Sequence, residues 1–209
     1  MIEALPYSLP DINILSSESS KSYFIWQPDD VYIVLGRSND TEKSLNTQLV
    51  IKDGIKVLKR PSGGETVVLT PQTLVFSIKI DSCKLKHPKS IFNTINNSLI
   101  KELSKNGIEG VYSRGISDLS IGEQKILGSS MYLKDNIYFY HAVLNVSEKP
   151  QYISQYLKHP SREPDYRKGR GHSEFVTSLT DKGYTLSVKE CARVIEKGIE
   201  NILYTFSVQ

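Results

Sequence analysis

Between residues 111 and 146 four β-prone segments (111–113, 118–121, 125–133 and 137–146) follow one another with almost nothing between them. The last two breaks are Gly122-Glu123 and Lys134-Asp135-Asn136. Turns this short can only reverse a strand, because a parallel crossover needs a dozen residues or more. The region is therefore an antiparallel meander, and the rest of the chain must supply what covers it.

Upstream, residues 22–26 and 31–36 are alternating or continuously apolar and are parted by Gln27-Pro28-Asp29-Asp30, a hairpin signal. Asp40 or Thr41 is placed to cap a helix reaching to about Lys52, where Asp53-Gly54 stops it. Three short β-like pieces follow at 55–59, 66–69 and 74–80. Pro88 opens a helix with Ile91, Phe92, Ile95, Leu99 and Leu103 on one face, ended by Asn106-Gly107. Residues 150–157 read as a short helix. A stripe of Val188, Cys191, Ala192, Ile195, Ile199, Ile202, Leu203 and Phe206 marks a long final one. Strands outnumber helices and come in runs, so the class is α+β: a largely antiparallel or mixed sheet with helices packed on it. With 209 residues the chain suits a single domain over 1–209.

Composition removes several function classes. The longest aliphatic stretch, 31–35, is far too short to cross a bilayer, and residues 1–13 lack the basic start and apolar run of a secretory signal. Two isolated cysteines, Cys83 and Cys191, suit a reducing compartment and offer no metal-ligand spacing, so the cytoplasm is expected and no protein-bound metal. Cys191 lies in the helix stripe and reads as a small core hydrophobe; Cys83 has only lysine nearby to activate it. The net charge of +3 equals the excess held by residues 158–172, where Lys158, Arg162, Arg167, Lys168 and Arg170 face Glu163 and Asp165. That loop is either a solvated linker or a grip for an anion. Nucleic acid is disfavoured, because Tyr166 alone is available there for stacking on bases.

Two constellations can carry chemistry. Lys59-Arg60-Pro61-Ser62-Gly63-Gly64-Glu65, between two strands, combines paired glycines that admit close backbone approach with an arginine fork suited to carboxylate or phosphate. It lacks the Gly-Lys-Ser/Thr of a P-loop. Asp118 on one strand and Lys125 on the next can pair across a hairpin, close to the small residues Gly128, Ser129 and Ser130. As an exposed cross-strand ion pair this would contribute well under ~1 kcal/mol. His141, between tyrosines, reads as a packed histidine.

Taken in order, Arg60-Pro61-Ser62-Gly63-Gly64, Ser117-Asp118-Leu119, Lys125-Ile126-Leu127-Gly128-Ser129 and the strand bearing His141 resemble the lipoate–protein ligase family, which shares its fold with biotin ligases and lipoyl/octanoyl transferases. Phe24-Ile25-Trp26 leading to Val34-Leu35-Gly36-Arg37 resembles that family's first strand pair, and residues 169–179 resemble its adenylate-closing loop. Glu65 stands where the family carries a third glycine, and Leu69 where it commonly has histidine.

The resemblance implies a biotin/lipoate-ligase-type catalytic domain, without the C-terminal accessory domain of many relatives, that uses ATP and Mg²⁺ to activate lipoate or octanoate as acyl-AMP. A lysine of a lipoyl acceptor domain, on a 2-oxoacid dehydrogenase or a glycine-cleavage H-type protein, then takes the acyl group, with or without a separate accessory subunit. It assigns Lys125 and Asp118 to catalysis. Arg60, Ser62, Gly63, Gly64, Glu65, Thr66, Val67, Gly128, Ser129 and His141 go to substrate and adenylate binding, and Arg167, Lys168 and Arg170 to phosphate and closure. The metal enters only with ATP. Two alternatives stand beside it: an ATP-independent acyl transferase, for which neither cysteine falls near 110–113 or 159–166, and a degenerate, non-catalytic binder of lipoyl domains or nucleotide.

Overall fold

The computed structural model describes residues 2–16, 19, 21–82 and 87–207, so Cys83 lies outside the described residues. In chain order the elements are β1 (Leu5–Pro6), a 3₁₀ turn (Pro10–Leu15), β2 (Tyr23–Trp26), β3 (Tyr32–Leu35), α1 (Thr41–Ser44), α2 (Thr47–Lys52), β4 (Lys56–Lys59), β5 (Val67–Leu69) and β6 (Thr73–Asp81). Then come α3 (Pro88–Lys105), β7 (Val111–Arg114), β8 (Asp118–Ile121), β9 (Gln124–Lys134), β10 (Ile137–Asn145), α4 (Pro150–Tyr156), a 3₁₀ turn (Asp165–Arg167), α5 (His172–Phe175), a 3₁₀ turn (Thr180–Lys182) and α6 (Val188–Ser207).

The strands form two sheets: a six-stranded antiparallel one ordered β2-β6-β10-β9-β8-β7, and a four-stranded mixed one ordered β1-β4-β3-β5. The meander 111–146 forms one side of the larger sheet. Because side chains alternate along a strand, one face of that sheet sends Leu74, Phe76, Ile78, Tyr140, Leu144 and Leu127 into a core with the stripes of α3 and α6, including Cys191 at 0% exposure. The opposite face meets the smaller sheet through Val75 and Val143 against Val34, Leu58 and Leu69. The smaller sheet buries its other face under Leu45, Val50, Ile153, Tyr156 and Leu157.

Two local expectations are corrected. Residues 22–26 and 31–36 are not a hairpin: β2 pairs with β6 in the large sheet, while β3 lies between β4 and β5 in the small one. Ile33, Val34 and Leu35 are all buried, so β3 needs a strand on each side and a packed layer on each face, which an edge hairpin with the half-buried β2 would not provide. Asp40 does cap a helix, accepting from the Glu42 and Lys43 amides, but the helix breaks at Leu45. Leu45 has 0% exposure and bridges to Leu157 as extended chain, while the Asn46 amide donates to the Tyr156 carbonyl; tertiary pairing wins over continued helix. The stop at Asp53-Gly54 holds, with Gly54 at φ +63°.

Candidate functional site

Across the large sheet Val75, Val143, Gly128 and Asp118 stand in register on the face turned toward the small sheet. Val75 is covered by that sheet, whereas Asp118 lies near its far end. Between β8 and β9 the register shifts, Leu119 pairing with Leu127 but Ser120 with Lys125. The extra residue, Ile126, is buried in the helix-side core along with Leu127. A bulge of this kind re-aims neighbouring side chains. Lys125 consequently lies back along its own strand, its Nζ 2.8 Å from Asp118 Oδ1.

Gly128 makes this possible. A Cβ there would stand 2.5 Å from Lys125 Nζ and 2.6 Å from its Cε. The pair is not a fully exposed surface bridge, since the Asp118 side chain is only 9% exposed and that of Lys125 28%. Asp118 receives a second donor, the Tyr166 hydroxyl, at 2.6 Å on Oδ2.

The glycine turn sits on the same face. Ser130, one alternation beyond Gly128, donates its hydroxyl to the Gly63 carbonyl at 2.8 Å. Ser129, which the sequence places in the substrate site, pairs instead with Ala142 of the helix-side core and donates to the Ser117 carbonyl. The period of two turns it away and brings Ser130 forward. The turn itself interlocks with the end of β3: Arg37 N donates to the Ser62 carbonyl, and a Cβ on Gly36 would strike the Gly64 carbonyl oxygen. Asn39 ties both, accepting from Gly36 N and Thr66 Oγ1 and donating to Glu65 Oε2.

Arg60 does not present its fork to the cleft. It is buried and donates Nε to Ser62 Oγ, Nη1 to the Val34 carbonyl and Nη2 to the carbonyls of Gly63 and Glu65. A buried guanidinium must be saturated with acceptors, and the four carbonyl and hydroxyl contacts do that; its role is to shape the turn. Burial pulls it down to about 10. Ser62, at 0% exposure, lies 2.6 Å from His141 Nε2, and burial, then the Arg60 charge, push His141 down to about 3, so it is a neutral imidazole. Gly63 and Gly64 are exposed, as is Pro61, with Gly64 at φ +87°. Glu65 and Thr66 instead line a cavity of about 90 Å³, along with Asn39, Lys158, His159 and His172. Val67 packs half-buried between the sheets.

The basic loop is seated against this face. Thr177 N donates to the Lys125 carbonyl, Val176 bridges to Lys125, and Gln124 Nε2 donates to the Glu174 carbonyl. The three cations that the resemblance assigns to phosphate and closure have different surroundings. Arg167 is buried, its Nε 3.6 Å from Glu163 and its guanidinium over the Phe175 ring at 4.7 Å. Arg170 donates to the carbonyls of Glu123, Tyr166 and Arg167. Only Lys168, in a left-handed turn at φ +52°, stands exposed. Within this loop one buried donor is left over: Nη2 of Arg167 has no hydrogen-bond partner among the described residues. Beside it His172 is pushed down to about 4 by burial and by the charges of Arg167, His159 and Lys125.

Sequence reasoning missed Tyr166, Asn39 and His172 as parts of the site, and named Ser130 only as a small residue near the pair without assigning it to the site. Ser130 could have been found by counting alternation from Gly128; the others come from loops whose return to the sheet has no local signature. Among the described residues no three His, Cys, Asp or Glu side chains cluster as a metal cage, and no helix is long and apolar enough to cross a membrane. Burial raises Cys191 to about 11.

Residues 13–200 match the family model described as the lipoyl protein ligase A/B catalytic domain. A probable lipoate-protein ligase A of Mycoplasma pneumoniae is 27% identical over 140 residues, which is 67% of this chain but only 40% of that protein. Among solved structures, a bi-partite lipoate protein ligase from Thermoplasma acidophilum, studied with its E2 lipoyl domain, superposes with a TM-score of 0.73 at 22% identity, covering 87% of this chain and 71% of the other. A lipoate-protein ligase A bound with ATP gives 0.71 at 21% identity, with 87% and 72% covered. These structures share the fold.

Proposed function

Since the chain belongs to the lipoyl protein ligase A/B catalytic-domain family, we propose that it activates lipoate or octanoate with ATP and passes the acyl group to a lysine of a lipoyl acceptor domain. In the first step a carboxylate oxygen of the acid attacks the α-phosphorus, the bond to the β-phosphate breaks, and pyrophosphate leaves with the electron pair. In the second the neutral ε-amine of the acceptor lysine attacks the acyl carbon; the acyl C–O bond breaks, AMP departs with the electron pair, and the amine loses a proton to solvent as the amide forms. Mg²⁺ neutralises the polyphosphate it arrives with.

The observation that carries this reading is Lys125, held on Asp118 across Gly128, on the strand whose Ser130 donates to the Gly63 carbonyl of the glycine turn. Its ammonium has three donors and Asp118 uses one, leaving others for the bridging oxygens where charge develops in both steps. The partnerless Nη2 of Arg167 supplies a second, desolvated cation for a phosphate oxygen. Lys168 stands exposed at the outer edge of the loop, and Arg170 holds the loop's shape. Seating the loop over the anhydride keeps water from hydrolysing it.

Relatives of this chain are described with ATP and with a lipoyl domain, which supports the same substrates here, and the cytoplasm is the compartment proposed for the reaction. A partner subunit supplying what an accessory domain supplies elsewhere is compatible with this arrangement. The transferase alternative needs a thiolate nucleophile; Cys191 is sealed in the core, and Cys83 lies outside the described residues. The test is direct: lipoate and MgATP, with and without a lipoyl domain, should yield acyl-AMP and pyrophosphate, then an acylated lysine. Acyl transfer persisting without ATP, or no acyl-AMP at all, would overturn the proposal.

A further inference from the structure

Both oxygens of Asp118 are taken, one by Lys125 at 2.8 Å and the other by the Tyr166 hydroxyl at 2.6 Å. Tyr166 does not belong to the sheet. It rides on the basic loop, its ring 5.2 Å from that of Phe175 and under the Arg114 guanidinium at 5.5 Å, with its carbonyl held by Arg170 Nη2. Burial and the Asp118 charge both push the phenol's ionisation well above its usual range, so it remains a donor.

A carboxylate gripped on one oxygen only is free to rotate about its terminal torsion, which is broad and soft. Gripped on both, it is a fixed platform. We infer that Tyr166 is a positioning residue that acts through Asp118: by seating its hydroxyl on Oδ2, the closed loop fixes the carboxylate and thereby the direction of the Lys125 amine. This rests on the function proposed above and adds a coupling to it. Loop closure and orientation of the activating cation become one event, so Lys125 is aligned only when the loop excludes water. Charge-assisted contacts of this length are the strong class of hydrogen bond, and a misaligned group near the reacting atoms loses rate steeply.

Tyr166→Phe isolates the hydroxyl, since the ring keeps its packing on Phe175 and Arg114. The single-turnover rate of acyl-AMP formation should fall about ten- to a hundredfold, the loss expected for one hydrogen bond to a charged group. KM for ATP and the melting temperature should stay close to those of the parent. A hydroxyl that merely docks the loop would raise KM and leave the rate at saturation unchanged; that result, or a saturating rate equal to the parent's, overturns the inference. A second readout does not depend on turnover: competitive acetylation of the ligand-free protein, followed by mass spectrometry of the Lys125 peptide. Freed from a fixed carboxylate, Lys125 should react severalfold faster in Tyr166→Phe, and an unchanged rate also overturns the inference. A parent protein that forms no acyl-AMP refutes the proposed function, while the labelling still decides whether Tyr166 positions Lys125.

Discussion

Replacing Gly128 by alanine separates the site from the fold more cleanly than any change to the charged residues. The added methyl would stand 2.5 Å from Lys125 Nζ and 2.6 Å from Cε, and 3.6 Å from Asp118 Oδ1. The carboxylate contact is ordinary, so the lysine has to move. Restoring van der Waals distance requires a shift of roughly 1 Å, which breaks the 2.8 Å bond to Asp118. Gly128 has no positive φ, and alanine fits its extended backbone without strain. What moves is the end of a flexible side chain that can reach water, Asp118 keeps its bond from Tyr166, and the ion pair given up is then worth about 1 kcal/mol. For a chain of this size that corresponds to a melting shift of about 2–4 °C at most. The chemical consequence is far larger, because a 1 Å misplacement can cost about 10²-fold in rate. Pyrophosphate release with lipoate and ATP, measured beside a calorimetric melt, tests this. Activity within about threefold of the parent would show that Lys125 need not lie where it does, and a collapse of the melting temperature would show that the glycine serves the fold.

Three further outcomes follow from the same contacts. Ser62→Ala strips an acceptor from Arg60 Nε and a partner from His141 deep in the turn, and urea titration should show a loss of about 1–3 kcal/mol. Stability should also fall with acid: His141 ionises near 6.5 when unfolded but only at about 3 when folded, so the neutral, buried form favours folding above pH 6.5 and that advantage is lost as pH drops through 6.5 toward 3. Between pH 7.5 and 5 this amounts to about 2 kcal/mol, and His141→Gln should flatten the slope. Arg167→Ala should lower the melting temperature through lost packing on Phe175, whereas Lys168→Ala, at an exposed position, should not; equal effects in differential scanning fluorimetry would contradict the placement of the two.

Local chemistry made much of this molecule legible. The turns at Gly122-Glu123 and Lys134-Asp135-Asn136 dictate the meander, and the stripes of α3 and α6 bury as their spacing requires. The pairing of Asp118 with Lys125 follows from strand adjacency, but its strength as a site comes from a bulge and from a glycine whose significance appears only when the lysine is seen folded over it. Arg60 shows the opposite. Next to two glycines it reads as a ligand fork, yet four acceptors within its own turn and the neighbouring strand consume it. Nothing in a sequence distinguishes an arginine that binds a ligand from one that builds the place where a ligand goes. Likewise the hairpin signal at Gln27-Pro28-Asp29-Asp30 is real turn chemistry, but burial of β3 on both faces decides which sheet each strand joins. Loop 158–172 hid most, because which of its cations turn inward depends on Phe175 and Glu123 meeting them from outside it, together with Glu163 within it.

The rate of acyl-AMP formation by Lys125→Ala, with lipoate and MgATP both saturating, tests the centre of this account. Loss of one preorganised cation should reduce it by about 10²–10³ in a protein that melts like the parent. A folded variant that forms the anhydride at the parent's rate would show that the activating charge lies elsewhere.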